Sequence, residues 1–419
     1  MTKNNKKILR GEKMLNYYYE NALKVGEIKL KDVENVNFTN AYSNLMEKLE
    51  NGDVGFREVI YEEDIEKYES LRGFKNVVVI GMGGSILGTV AIYRAISPFE
   101  NGAYFIDNSD PEKTLSLLKN LDLNESIIYV ISKSGNTLET LVNYYLIKKR
   151  IEKINNFKGK IVFITNGGKL KREAEKNNYP IYSIPENVPG RFSVFTSVGL
   201  APLYSLGVNI SEILEGAREM DKTCQNDDIF ENPALLNGVI HYLYDNLGKD
   251  ISVIMSYVES LKYFGGWYKQ LIGESLGKNG YGITPLLSIG AKDQHSLLQL
   301  YIDGKKDKVI TFMIAEKYRL DENIAFEDVN DEEIVCKYSD IIKSQQKATE
   351  ISLTNNGVPN VRITIDEVNE KTMGALLYMY EMQVGFMGEL YNINAYNQPA
   401  VEEEKRICWD LIKSSKKQI

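Results

Sequence analysis

The chain has 419 residues, 43% of them hydrophobic and 26% charged, with a formal net charge of −8. Such a length and composition exclude a disordered polymer and call for at least two hydrophobic cores. The scattered Lys and Arg exclude nucleic acid as a partner, because a polyanion needs a concentrated basic face. Cys224, Cys336 and Cys408 are far apart and odd in number, with no CxxC pair or disulfide framework, which indicates a reducing, cytoplasmic setting. No apolar run is long enough to span a bilayer, and the polar, tyrosine-rich first stretch, 1–24, does not read as a signal peptide.

Residues 1–70 read as an N-terminal helical arm. The pattern then changes. The β-branched run 76–80 is followed by glycines and a helix over 86–95, and 126–131 repeats the arrangement with a helix over about 137–153. Further strands are predicted at 160–165 and 182–184. A helical crossing over 212–246 leads to strands at 251–255, 283–289, 309–314 and 361–364, then a long helix over 372–390 and a last one over 400–413. Strands alternating with helices imply parallel sheets. The expected fold class is therefore α/β. Its units are an arm (1–70), a first α/β domain (71–208), a second (209–395) and a C-terminal helix (396–419), each sheet mostly parallel and flanked by helices.

Two turns stand out. Gly81-Met82-Gly83-Gly84-Ser85 follows a strand and precedes a helix. Its glycines let backbone approach a ligand, and the helix N-terminus offers unpaired N–H groups to an anion. It lacks the spacing of a dinucleotide fingerprint and the Lys-Ser/Thr pair of a nucleotide loop. Ser132-Lys133-Ser134-Gly135-Asn136-Thr137 has the same setting and adds three hydroxyls and an ammonium. Each turn alone fits plain strand-to-helix geometry equally well. Two of them on successive parallel strands favour a phosphate cradle at the strand ends.

The reacting groups are fewer. Only His241 and His295 are present, and His241 lies in an apolar helical context that suits a packed interior residue. His295, after Asp293-Gln294, is either a general acid-base group at a strand end or an exposed first-turn residue; its segment does not choose. Glu274, between Gly273 and Gly277, is a base or a helix-end carboxylate, and Arg191, after Pro189-Gly190, an oxyanion partner or a surface residue. No two histidines lie close and no Cys pairs with a His, so no metal or other cofactor is expected.

Taken together these residues resemble the glucose-6-phosphate isomerase (phosphoglucose isomerase) family, in its shorter bacterial form, from about residue 75 onward. The resemblance rests on IGMGGSILG (80–88), SKSGNTLET (132–140), ENVPGRFSVFTSVGL (186–200), GESLGKNG (273–280), DQHSLLQ (293–299) and NQPAVEEEK (397–405). It implies two sugar-isomerase (SIS-type) domains and isomerisation of glucose 6-phosphate and fructose 6-phosphate through a cis-enediol, in glycolysis and gluconeogenesis. It implies Glu274 as the proton shuttle between C1 and C2, Arg191 as the enediolate partner, and His295 and Lys405 as ring-opening groups. His295 would then be lent by the partner in a homodimer. Gly84, Ser85, Ser132, Lys133, Ser134, Thr137, Glu139, Gly190 and Gln398 would contact the sugar phosphate. Pro189 and Pro399-Ala400 depart from the longer family members. Two other readings compete: a related phosphosugar isomerase, and a non-catalytic sugar-phosphate sensor, which would have no need to keep Glu274, His295, Arg191 and Lys405 together.

Overall fold

The computed structural model describes residues 14–97 and 102–415. Its strands are β1 (Leu15–Tyr18), β2 (Asn76–Ile80), β3 (Ala103–Ile106), β4 (Ser126–Ile131), β5 (Lys160–Ile164), β6 (Ile181–Tyr182), β7 (Ile251–Ser256), β8 (Thr284–Ile289), β9 (Lys308–Ala315), β10 (Asn323–Glu327), β11 (Glu333–Lys337) and β12 (Asn360–Ile365). They form one sheet in the order β3-β2-β4-β5-β6, a second in the order β1-β12-β9-β7-β8, and the separate hairpin β10-β11. The first sheet is parallel throughout. The second is parallel except at β1, which runs antiparallel to β12.

Both faces of β2 and β4 in the first sheet and of β7, β9 and β12 in the second are covered, which is why these strands read as continuous apolar runs. In β2 and β4, Val78, Ile80, Ile128 and Val130 point to an outer core closed by Leu141, Tyr144 and Ile147 of the helix Leu138–Ile151. Val77, Val79, Ile127 and Tyr129 point the other way, into a central core. The second sheet divides likewise: Val253, Met255 and Phe312 face an outer core, and Ile254, Met313 and Ile363 face the same central one. The helix Glu370–Leu390, buried from Thr372 to Gly388, belongs to that shared core.

Three departures from the sequence reading have physical causes. The arm expected to be helical contributes β1, whose Leu15-Asn16-Tyr17-Tyr18 suits an edge strand; the Tyr17 hydroxyl donates to Asn237 Oδ1 at 2.9 Å. β3 is a four-residue run, too short to show a period. The hairpin β10-β11 is largely exposed and rich in acidic residues, so no buried face marked it.

Candidate active site

The two turns singled out in the sequence close the C-terminal ends of β2 and β4, which pair side by side. From β2 the sheet extends one way to β3, and from β4 the other way to β5 and β6. The crevice between β2 and β4 is thus the topological switch point, where open α/β sheets hold their ligands.

The first turn is a short 3-10 segment, Gly83–Ser85, leading into the helix Leu87–Ile96. Gly83 has φ +53, a left-handed conformation that favours glycine. A Cβ on Gly84 would lie 2.1 Å from the carbonyl oxygen of Gly190, so the backbones of these two turns touch. In the second turn the Ser132 and Thr137 hydroxyls share a hydrogen bond at 2.8 Å, and Ser132 Oγ accepts the Gly135 N–H at 3.2 Å. Ser134 Oγ accepts the Asn136 N–H. Thr137 caps the helix Leu138–Ile151 without a side-chain bond, leaving its first N–H groups to an anion. Glu139 lies in that first turn. Lys133 was expected beside the phosphate. Its ammonium instead donates to the carbonyls of Glu186 (2.8 Å) and Val188 (3.0 Å), fastening the loop that enters Pro189-Gly190, and partial burial lowers its pKa.

Arg191 is 2% exposed, and all five guanidinium N–H groups are engaged. Nε donates to Ser275 Oγ at 2.6 Å; Nη1 donates to Gln398 Oε1 at 2.8 Å and Glu274 Oε2 at 3.4 Å; Nη2 donates to the carbonyls of Ala395 and Asn397. Burial lowers its pKa, the Glu274 carboxylate opposes that shift, and the group stays charged. Three motifs far apart in sequence, those of Arg191, Glu274 and Gln398, therefore meet at one guanidinium nitrogen.

Glu274 lies on the helix Phe264–Leu276 of the second unit, whose Trp267 reaches Gly88 on the helix Leu87–Ile96 of the first. Its side chain is 36% exposed, and its other oxygen accepts from Gln270 Nε2 at 3.1 Å. A Cβ on Gly83 would lie 2.5 Å from that same nitrogen, so Gln270 bridges the glycine turn and the carboxylate. Its Oε1 is a buried acceptor without a protein partner, of the kind a ligand hydroxyl or a water satisfies. Sequence reasoning missed Gln270; its position one helical turn before Glu274 was the available signal.

Two predicted residues stay outside this cluster. His295 is exposed at the end of the 3-10 segment Lys292–His295, just after β8. That segment is fixed by Asp293, whose carboxylate accepts the Ile289 N–H at 2.7 Å and the Ser296 hydroxyl at 2.8 Å. Lys405 is exposed on the helix Glu402–Ser415 and paired with Glu402 at 2.6 Å. His241 is buried, its Nδ1 2.9 Å from the Asn237 carbonyl oxygen, and burial pulls its pKa down to about 4. Among the described residues no group of three or more His, Cys, Asp or Glu is placed to hold a metal, and no helix is long and apolar enough to cross a membrane.

The family model for phosphoglucose isomerase matches residues 2–418. The chain belongs to the phosphoglucose isomerase family. It is 84% identical to a glucose-6-phosphate isomerase of Methanocaldococcus jannaschii over 96% of this chain and 100% of that one. It is 38% identical to one of Carboxydothermus hydrogenoformans, over 90% of this chain and 88% of that one. Among solved structures, a protein of Thermus thermophilus described as hypothetical aligns with a TM-score of 0.86 at 27% identity, over 95% and 100% of the two chains. A glucose-6-phosphate isomerase of Chlamydia trachomatis shares the fold with a TM-score of 0.83 at 21% identity, over 96% and 89%. The α/β fold with two sheets agrees with the sequence expectation.

Proposed function

We propose that the chain catalyses the reversible isomerisation of glucose 6-phosphate and fructose 6-phosphate, in glycolysis and gluconeogenesis in the cytoplasm, with no metal or other cofactor. The observation that carries this reading is the ion pair of Arg191 with Glu274 beside a strand-end cradle. A base and an oxyanion partner stand together where a phosphate would fix a sugar.

The phosphate sits at the β2 and β4 turns, on Ser85, Ser132, Ser134, Thr137 and the backbone at Gly84, with Lys133 and Glu139 at the rim. Binding the phosphate orients the reacting carbons, so binding energy is spent on alignment. Gly190 and Gln398 contact the sugar. His295 and Lys405 move protons to open the ring. Glu274 then takes the proton from C2. The C–H electron pair forms the C1=C2 double bond, and the former carbonyl electrons pass to O1, giving a cis-enediolate. The proton on O2 passes to O1 by way of the cis-enediol, a carbonyl re-forms at C2, and Glu274 returns its proton to C1. Arg191 stabilises the charge that develops on oxygen.

The active form in this reading is a homodimer in which His295 serves the partner's site. It is supported by β8, an edge strand at the end of its sheet, with Leu286 37% and Leu300 49% exposed beside the His295 turn; natural edges of this kind are covered or paired.

A coupled assay converting fructose 6-phosphate to glucose 6-phosphate, run with and without a chelator, tests the whole reading. Turnover unchanged by chelator is expected; no turnover sinks the reading. Glu274→Gln is expected to lower kcat by about 10²–10⁴-fold and to abolish exchange of the C2 proton with solvent, while binding of a sugar phosphate persists.

A further inference from the structure

The helix that carries Glu274 ends in an unusually complete cap. The Gly277 N–H donates to the Gly273 carbonyl at 3.1 Å and the Lys278 N–H to the Leu276 carbonyl at 2.8 Å. Lys278 and Tyr281 then exchange backbone hydrogen bonds at 3.1 and 2.9 Å. Asn279 (φ 55) and Gly280 (φ 82) between them are both left-handed, the geometry of a type I′ turn. This reversal folds the Lys278 side chain back over the helix end. Its Nζ donates to the carbonyl oxygens of Glu274 and Ser275, each at 2.6 Å.

The last four carbonyls of a helix lack intrahelical donors and carry the negative end of its dipole. Here the Gly273 and Leu276 oxygens are met by backbone N–H groups, and the Glu274 and Ser275 oxygens by one ammonium. Those two residues are also the ones Arg191 holds through their side chains, at Ser275 Oγ and Glu274 Oε2. Residues 274 and 275 are therefore gripped from two sides, by a guanidinium at the side chains and an ammonium at the backbone.

We propose that Lys278 is a positioning residue for the isomerisation, its ammonium clamping the Glu274–Ser275 backbone so that the Glu274 carboxylate keeps its placement against Arg191 and the substrate's C2. This deepens the function proposed above and rests on it. The charged groups that act on Lys278 are Arg191, from the Gly190–Phe192 turn, and Glu274, on its own helix. Burial and Arg191 push its pKa down to about 8, and Glu274 opposes them. The clamp is consequently charged at neutral pH and loses its charge in mildly alkaline solution.

The test uses the full-length enzyme with Lys278→Met and Lys278→Arg. A misplacement of about 1 Å at a reacting group costs on the order of 10²-fold. Lys278→Met is expected to lower kcat at pH 7 by about ten- to a hundredfold, with KM little changed, and to erase the alkaline limb of the kcat profile near pH 8. Lys278→Arg keeps the charge and does not titrate in this range. It is expected to recover most of kcat and to move the limb upward. Binding of sorbitol 6-phosphate, a non-isomerisable sugar phosphate, checks that each variant retains its folded site. The proposal is overturned if Lys278→Met keeps wild-type kcat and profile, or if its loss lies in KM alone. Should Lys278→Met fail to fold, the limb staying at pH 8 in Lys278→Arg overturns it as well. An inactive wild type would sink the functional reading; an active wild type with an indifferent Lys278→Met sinks only the clamp.

Discussion

The half of the site that would move the C2 proton and the half that would open the ring are built to different standards. Arg191 is 2% exposed with every donor engaged, and it ties its own turn to Ser275 on the helix Phe264–Leu276 and to Asn397 and Gln398 beyond the helix Glu370–Leu390. His295 and Lys405 are exposed, and the one ion pair of Lys405 among the described residues is a surface i,i+3 contact, a kind worth little in water. One chain orders the first half. In the proposed mechanism the second half gains its order from substrate or from another chain.

Breaking the ordered half is expected to cost most. Arg191→Ala should lower kcat by about 10²–10³-fold and stability by on the order of 2–3 kcal/mol, because it strands the buried carbonyls it now satisfies. Arg191→Lys should recover only part of either, since a point charge cannot reproduce the fork. Steady-state kinetics and urea denaturation separate the two effects, and an unchanged denaturation midpoint would refute the structural share assigned to Arg191.

Breaking the exposed half should cost less and more selectively. His295→Ala is expected to slow turnover more on cyclic than on open-chain substrate while leaving the urea midpoint unmoved. Equal slowing on both forms would remove its ring-opening role. Mixing the Glu274→Gln and His295→Ala proteins should restore some activity through hybrid dimers; no recovery after demonstrated subunit exchange would rule out a shared site.

The smallest expected effect on catalysis comes from the other histidine. His241 is the ordered counterpart of His295, buried and neutral, with its folded pKa at about 4 against an ordinary 6.5. Its contribution is complete above pH 6.5 and is lost as pH falls towards 4, because the unfolded chain then binds a proton that the fold rejects. The full span is worth roughly 3 kcal/mol. His241→Gln should flatten the acid limb of a Tm-versus-pH curve and leave kcat near neutral pH alone. A curve with the same acid limb would count against this assignment.

Much of the architecture was legible because sheets covered on both faces produce apolar runs bounded by glycine turns, as at 76–85 and 126–137. β1 and β3 were not, being four residues long, and the β10-β11 hairpin buries no face that would leave a pattern. At the site, sequence order named Arg191, Glu274 and Gln398, yet their meeting depends on helix packing that no local window contains. Gln270 and Lys278 were missed for opposite reasons. Gln270 sits in the apolar and aromatic helix Phe264–Leu276, where nothing in its neighbours marks it, and the value of Lys278 lies in backbone carbonyls, which sequence does not display. Lys133 was read as a contact to the sugar phosphate, and nothing in its motif reveals the Glu186 and Val188 carbonyls that its ammonium meets.

The backbone contact between Gly84 and Gly190 has a consequence for tolerance to change. No side chain cushions that junction, and a methyl group at residue 84 would overlap the Gly190 carbonyl and crowd the Arg191 N–H. Even the smallest added side chain there has to part the turn after β2 from the turn that carries Arg191.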